Sequence, residues 1–266
     1  MTNHLGTGQD ASAWSAELQA ALGAAQAAST IVRAHYGRAP DVTIKGDQSP
    51  VTVADVAVER EVRGILTERF PGHAFLGEET GRSPERDGRP VWIVDPIDGT
   101  RAFIGEYPMF STQIALMRDG EVALGVSCAQ LYGELAWAER GHGAFLNGRR
   151  LAVSATRSVA QAVLSVGMIR DLAASHRWPN YGRLVEKAAY SRGYGEFLQY
   201  HLLAAGKIDI AFEVGIKIYD VAALVAIVTE AGGRCTQIDG SPIDEDTKSI
   251  VATNGWLHDE VLATLN

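Results

Sequence analysis

The sequence predicts a mixed α/β protein in which an α+β part, residues 11–150, precedes an alternating α/β part, residues 151–266. Three features predict this: two helix-periodic stretches near the start, a run of short apolar segments separated by glycine-bearing turns after Phe110, and interleaved strand and helix patterns beyond residue 150. Residues 1–10, polar and without apolar periodicity, are expected to form a mobile N-terminus.

The elements follow in order. "ASAWSAELQAALGAAQAASTIVRAHYG" is rich in Ala, Leu and Gln, with apolar residues at helical spacing, and predicts one long helix stopped by Gly37. The turn-rich "KGDQSPVTVAD" leads into "ADVAVEREVRGILTERFPG", where Val56, Val58, Val62, Ile65 and Leu66 predict an amphipathic helix ending before Pro71 and Gly72. "AFLGEE" reads as a short strand entering an acidic loop, "TGRSPERDGRP" as a surface loop, and "VWIVD" as a buried strand ended by Pro96. Beyond Phe110, turns at Asp-Gly, Tyr-Gly, Gly-His-Gly and Asn-Gly divide the chain into an antiparallel meander. The second part mixes strands ("AVLSVGM", "IDIAFE") with helices ("WPNYGRLVEKAA", "GEFLQYHLLAAG", "YDVAALVAIVTEAGG").

Composition narrows the function classes. With 266 residues, 46% hydrophobic and 21% charged, the chain has ordinary globular composition. A formal net charge of -8 and no run of Lys and Arg argue against a nucleic-acid or anionic-membrane surface. Cys128 and Cys235 lack C-x-x-C spacing and read as small buried residues. With no signal-peptide pattern and no apolar stretch long enough for a membrane span, a soluble, cytoplasmic protein is expected.

The chemistry concentrates at "WIVDPIDGT". Asp95 is predicted at the carboxyl end of a buried strand, where α/β proteins commonly place ligand sites, and Asp98 projects from the following turn. Gly99 permits a tight backbone before Thr100 begins a helix. A structural reading competes: Asp98 as a helix cap, with Asp95 bonding turn amides. Two further acidic corners, "GEE" at Gly77 to Glu79 and Asp220 at the head of an apolar helix, favour a cation site. Glu78, Asp95, Asp98, Asp220 and the Ile97 carbonyl would form an oxygen donor set suited to magnesium.

Other chemistries fit worse. The seven histidines include no H-x-H or H-E-x-x-H pair, so zinc is disfavoured, and no G-x-x-x-x-G-K-[ST] loop occurs. Neither cysteine is followed by an arginine six residues on, as a thiol phosphatase loop needs. Asp95 and Asp98 have two residues between them, one more than the D-x-D-G-T of a haloacid dehalogenase.

Taken together, "GEE" (77–79), "WIVDPIDGTRAF" (92–103) and "YDVAALVAIVTEAGG" (219–233) resemble the signatures of the inositol monophosphatase family of magnesium-dependent phosphomonoesterases. The likeness extends from about Lys45, through "SPVTVAD" and "GHGAFLNG", to the last helix. It implies a layered α/β/α/β/α sugar-phosphatase fold, a homodimer, and two or three Mg2+ ions per site. Glu78, Asp95 and the Ile97 carbonyl would hold a first ion; Asp95, Asp98 and Asp220 would hold a second. Glu79 would orient waters, Asp55 with Thr100 would position and deprotonate the attacking water, and the amides of Gly99 and Thr100 would receive phosphate oxygens. The roles of Lys45 and Lys217 stay open.

The family spans several phosphate esters, so the shared core does not choose the alcohol. "DGTRAFI" with Ala102 after Arg101, "GEFLQY" with Glu196, and "EVGIKIYD" with Lys217 and Tyr219 before Asp220 resemble the histidinol-phosphatase branch, whereas Glu213 alone does not separate the branches. Histidinol phosphate carries an ammonium and an imidazole, for which Glu196 and Glu213 are candidate partners. Against these roles stand a helix-capping Glu196 and a solvated, strand-end Glu213. Tyr194, Phe197 and Tyr200 are candidates either for stacking on the imidazole or for core packing. The expected activity is therefore hydrolysis of L-histidinol phosphate in histidine biosynthesis. The alternatives are an inositol monophosphatase, a broad phosphatase also acting on fructose 1,6-bisphosphate or adenosine 3',5'-bisphosphate, and a catalytically silent phosphate-ester-binding homologue.

Overall fold

A computed structural model describes residues 14–38, 42–46, 49–83 and 88–266. The expected mobile segment 1–10 and parts of two expected loops, residues 47–48 and 84–87, lie outside the described residues.

Helix α1 (Ala16–His35) starts where the Ser15 side chain accepts the Leu18 amide, and buries an alanine-rich stripe around Leu18 and Val32. Strands β1 (Val42–Ile44) and β2 (Pro50–Thr52) form a hairpin with Lys45 just beyond β1. Helix α2 (Val53–Arg69) opens with a capping box between Thr52 and Asp55. Its buried face carries Ala54, Asp55, Val58, Glu59, Val62 and Leu66. Val56, expected on the apolar face, is instead exposed, because the face turns to place two acids inward.

Strands β3 (Ala74–Gly77) and β4 (Gly81–Arg82) flank the acidic corner, and β5 (Val91–Asp98) runs parallel to β3. Contrary to expectation, Pro96 does not end β5. The register with the next strand shifts between Asp95 and Asp98, so the proline, which has no N–H to offer the ladder, sits in a bulge. Helix α3 (Thr100–Ile104) follows immediately. The expected meander comprises β6 (Ser111–Arg118), β7 (Glu121–Ala129), β8 (Glu134–Glu139), β9 (Gly143–Leu146) and β10 (Arg149–Arg150), completing an eight-stranded sheet in the order β10-β9-β8-β7-β6-β5-β3-β4.

In the second part, β11 (Val163–Val166) leads to α4 (Ile169–Ala174) and α5 (Trp178–Lys187). Strand β12 (Tyr190–Arg192), helix α6 (Glu196–Ala204), strand β13 (Ile210–Val214) and helix α7 (Ile218–Glu230) follow. The chain closes with β14 (Arg234–Thr236), β15 (Ser249–Thr253) and α8 (His258–Leu265). The five-stranded sheet runs β12-β11-β13-β15-β14, parallel from β12 to β13 and antiparallel beyond.

Three apolar clusters stack these elements into the α/β/α/β/α order. Helices α1 and α2 cover one face of the large sheet. Helices α6 and α7 fill the space between the two sheets, and α4, α5 and α8 cover the outer face of the small one. At Gly125 in β7, a β-carbon would overlap the backbone of Ala223, so the glycine lets α7 approach the sheet main chain to main chain. Among the described residues, no helix is long and apolar enough to cross a membrane.

Candidate active site

Three acids meet where β5 ends and α7 begins. Asp95, Asp98 and Asp220 each offer a carboxylate oxygen within 4.8 Å of the others. The bulge at Pro96 turns both β5 acids toward the same side as Asp220, and Thr112 Oγ1 pins that bulge by donating to the Pro96 carbonyl at 2.8 Å. Gly99 adopts φ 88°, and a β-carbon there would meet the Met109 carbonyl, so this corner needs glycine for both conformation and space. Asp220 is fixed by accepting the Lys217 amide at 2.8 Å in the first turn of α7.

The structural reading of these acids does not describe the geometry. Gly99, not Asp98, is the residue preceding α3. The buried oxygens Asp95 Oδ1 and Asp98 Oδ2 have no hydrogen-bond partner among the described residues. Burial, then the charges of Glu78, Asp98, Asp220 and Asp55, hold the Asp95 carboxyl well above its usual range. Burial and the charges of Glu196, Asp220, Glu213 and Glu78 do the same to Asp98, and burial with neighbouring acids pushes Asp220 to about 7. Orphaned oxygens in an all-carboxylate setting match a hard divalent cation, which would relieve that repulsion; neither imidazole nor thiolate is among the clustered donors.

Glu78 and Glu79 stand beside this cluster, and Lys45 lies across them. Its Nζ is 2.9 Å from Glu78 and 2.7 Å from Glu79. Burial opposes the Lys45 charge, but the bonds to Glu79 and Glu78 outweigh it and raise the ammonium above its usual value. Glu79 is pushed up to about 7, mainly by burial.

Asp55, itself fully buried, lies in the first turn of α2, accepting the Thr52 amide at 2.8 Å and the Thr52 hydroxyl. Its other oxygen faces Thr100, whose hydroxyl lies 3.3 Å from Asp55 Oδ1 and 3.1 Å from the Ile97 carbonyl. Burial raises the Asp55 carboxyl despite the Thr52 bonds.

Across the cleft, which Asp98, Met168, Glu196, Tyr200, Glu213 and Asp220 help to line, the second part contributes two more acids. Glu196 is the first residue of α6, held at φ 46°, a left-handed conformation that costs a non-glycine residue energy. It shares a hydrogen bond with Asp98, and burial raises its carboxyl. Glu213 is buried, accepts the Tyr200 hydroxyl at 2.7 Å, and is pushed up to about 8 by burial and by Glu196. A β-carbon on Gly167 would occupy the place of the Glu213 carboxyl. Glu196 is thus turned to Asp98 rather than capping α6, and Glu213 is not solvated.

Phe197 and Tyr200 are fully buried in the layer between the sheets, so neither ring is a stacking surface; Tyr194 is partly buried. Arg101 is exposed on α3, and Lys217 Nζ lies 5.5 Å from the centre of the Tyr219 ring. Three contributors have no motif of their own: Gly167, the Tyr200 hydroxyl, and Glu59, which accepts the amides of Glu79 and Thr80. For Glu59 the signal was its place four residues after Asp55, on the same helix face.

The chain as a whole resembles known proteins. The chain is 42% identical to a histidinol-phosphatase of Mycobacterium tuberculosis, over 94% of this chain and 98% of that protein. It is 38% identical to an inositol-1-monophosphatase of Caulobacter vibrioides, over 84% and 90%. The extragenic suppressor protein suhB from Bartonella henselae superposes with a TM-score of 0.87 at 32% identity, covering 95% of this chain and 99% of that one. Residues 14–266 match the inositol monophosphatase family, and the chain, a phosphatase, belongs to it.

Proposed function

We propose that the chain is a magnesium-dependent phosphatase that hydrolyses L-histidinol phosphate to L-histidinol and phosphate. The observation that carries the substrate is the pair of carboxyls Glu196 and Glu213, set in the cleft beside the Asp98 and Asp220 corner and braced by Tyr200 and Gly167. A neutral polyol gives little reason to gather two more acids next to three that already repel one another. An alcohol carrying an ammonium and an imidazole does, because its charge offsets that repulsion. The similarity to the M. tuberculosis histidinol-phosphatase supports this reading.

Glu78, Asp95, Asp98, Asp220 and the Ile97 carbonyl are the residues that would hold two or three Mg2+ ions. Bound magnesium would offset the charge of the phosphate ester and make a water acidic enough to act as the nucleophile near neutral pH. The chain's own residues supply the rest. The Thr100 hydroxyl has one proton and two acceptors; when it donates to Asp55, its oxygen is left to accept from the attacking water, with Asp55 as the buried base behind it. Glu79, tied to Lys45, orients waters at the edge of the site. Gly99 and Thr100 present their amides, with Arg101 alongside, toward the phosphate. Glu196 and Glu213 orient the leaving alcohol so that its bond to phosphorus lies in line.

A substrate panel with the purified protein and Mg2+ tests this. Histidinol phosphate is expected to give the highest kcat/KM. Faster release from inositol 1-phosphate overturns the substrate assignment, and no turnover of any small phosphate ester overturns catalysis. Sedimentation of the purified protein as a monomer would remove the homodimer from the proposal.

A further inference from the structure

We propose that Glu59 is a positioning residue for the proposed magnesium ligand Glu78: its buried carboxylate fixes the 78–80 corner through main-chain hydrogen bonds. The role rests on the assignment of Glu78 as a ligand, made above.

Asp55, Glu59 and Arg63 are spaced four residues apart and form one stripe along α2. Asp55 reaches Thr100. One turn on, Glu59 Oε2 accepts the Glu79 amide at 2.7 Å and Oε1 the Thr80 amide at 2.8 Å. A further turn on, Arg63 Nη1 donates to Thr80 Oγ1 at 3.0 Å, with its guanidinium over the Phe75 ring at 5.2 Å. One helix face therefore registers the Thr100 corner and the acidic corner against each other.

Glu59 is fully buried, and its two carboxylate oxygens each accept a main-chain amide. Burying a carboxylate is costly, and satisfying two turn amides does not by itself explain it, because Thr80 is exposed and water could solvate its amide. What a buried bidentate acceptor adds over water is a fixed loop. Gly77 shows how closely the pieces fit: a β-carbon there would overlap the Glu59 carboxyl. Gly77 has no positive φ, so it serves the close approach rather than a turn conformation. With Glu59 holding the main chain from one side and Lys45 the side chains from the other, Glu78 is presented to the Asp95 cluster in one orientation.

Glu59→Gln keeps the shape but replaces one acceptor oxygen by a donor facing an N–H. Titration of the substrate-free protein with Mn2+, read by electron paramagnetic resonance of the unbound ion, is expected to show affinity reduced about tenfold or more, as is usual when support of a ligand is lost. The Mg2+ concentration for half-maximal phosphate release should rise in parallel, with kcat at saturating Mg2+ recovering toward wild type. Glu59→Asp, which retains both acceptors on a shorter arm, should fall between the two. Weakened Mn2+ binding in Glu78→Gln but unchanged binding in Glu59→Gln overturns the positioning role alone. Unchanged binding in Glu78→Gln overturns the ligand assignment, and the positioning role with it. Should Glu59→Gln not fold, hydrogen exchange on the wild-type protein decides: slow exchange of the Glu79 and Thr80 amides supports the fixed corner, and exchange at the rate of an open turn overturns it.

Discussion

Asp95 and Asp98 leave buried oxygens without hydrogen-bond partners, whereas Glu213, across the same cleft, is braced by the Tyr200 hydroxyl and rests over Gly167. The first region comes from one strand, its bulge and the first turn of one helix; the second draws on β11, α6 and β13. Carboxylate oxygens without partners among the described residues suit a cation that arrives with its own charge. Acids whose geometry is already set by neighbours are prepared to choose among molecules. Under the proposed function, the difference would divide the reaction from the selection of its substrate.

The largest effect is expected at Asp95. Asp95→Asn should lower kcat by about a thousandfold or more with any phosphate ester, because it removes a ligand itself rather than its support. Phosphate release within tenfold of wild type would show that the corner is not the reacting centre. On the opposite side, Glu196→Ala should raise KM for histidinol phosphate about 10- to 100-fold, consistent with losing a charge-assisted bond, and should change KM for inositol 1-phosphate little. Equal effects on the two esters would erase the division.

A smaller change is expected from Tyr200→Phe. The hydroxyl donates to Glu213 and lowers a carboxyl that burial and Glu196 have raised to about 8. Ionised Glu213 pairs better with a cationic alcohol, so KM for histidinol phosphate should fall as pH rises toward 8. Removing the hydroxyl should move that fall to higher pH, leaving kcat within a few-fold. An unchanged KM profile would mean that Tyr200 serves packing only.

The smallest effect is thermal. In chelator, Asp95, Asp98, Asp220, Glu79 and Glu213 have folded pKa values above their ordinary ones, so the folded state binds more protons than the unfolded state. Stability contributed by these groups is present at low pH and is lost as pH rises through their folded values, about 7 for Asp220 and Glu79 and about 8 for Glu213. His258, buried and lowered to about 4, acts in the opposite direction below neutrality. With Asp55 and Glu196 also raised and His73 also lowered, seven acids against two histidines leave a Tm that declines between pH 5 and pH 8 in chelator, by about 2–8 °C for a net ~1–2 kcal/mol in a chain of this size, and Mg2+ should flatten the decline. A decline of the same size with saturating Mg2+ would show that the cation does not bind the acids.

The two regions also differed in how far they could be read in the sequence. "WIVDPIDGT" declared itself because contiguous residues carry both the clustered acids and the backbone corner; the sequence expectation that Pro96 ends the strand differs from the bulge observed there. The meander was legible from its turn residues, and α7 from an unbroken apolar run behind Asp220. Tyr200 and Phe197 were not, because a helix position does not tell whether a ring faces a cleft or the layer between two sheets. Glu59 escaped notice because an acid within a charged helix looks solvated until a turn closes over it. Val56 was misassigned for the same reason: the face that buries Asp55 and Glu59 takes the inward place that hydrophobicity alone would give to valine.

Helix α7 meets the large sheet through the main chains of Gly125 and Ala223, and this contact includes none of the residues that line the Glu196 and Glu213 side of the cleft. The depth at which Asp220 sits is therefore anchored in part on the large sheet, away from the surface proposed to meet the alcohol. Such an arrangement makes the scaffold readily diversified: side chains on α6 and β13 can be exchanged to suit a new leaving group while the hydrolytic corner keeps its dimensions. Enzymes with different substrates can in this way share one unaltered centre.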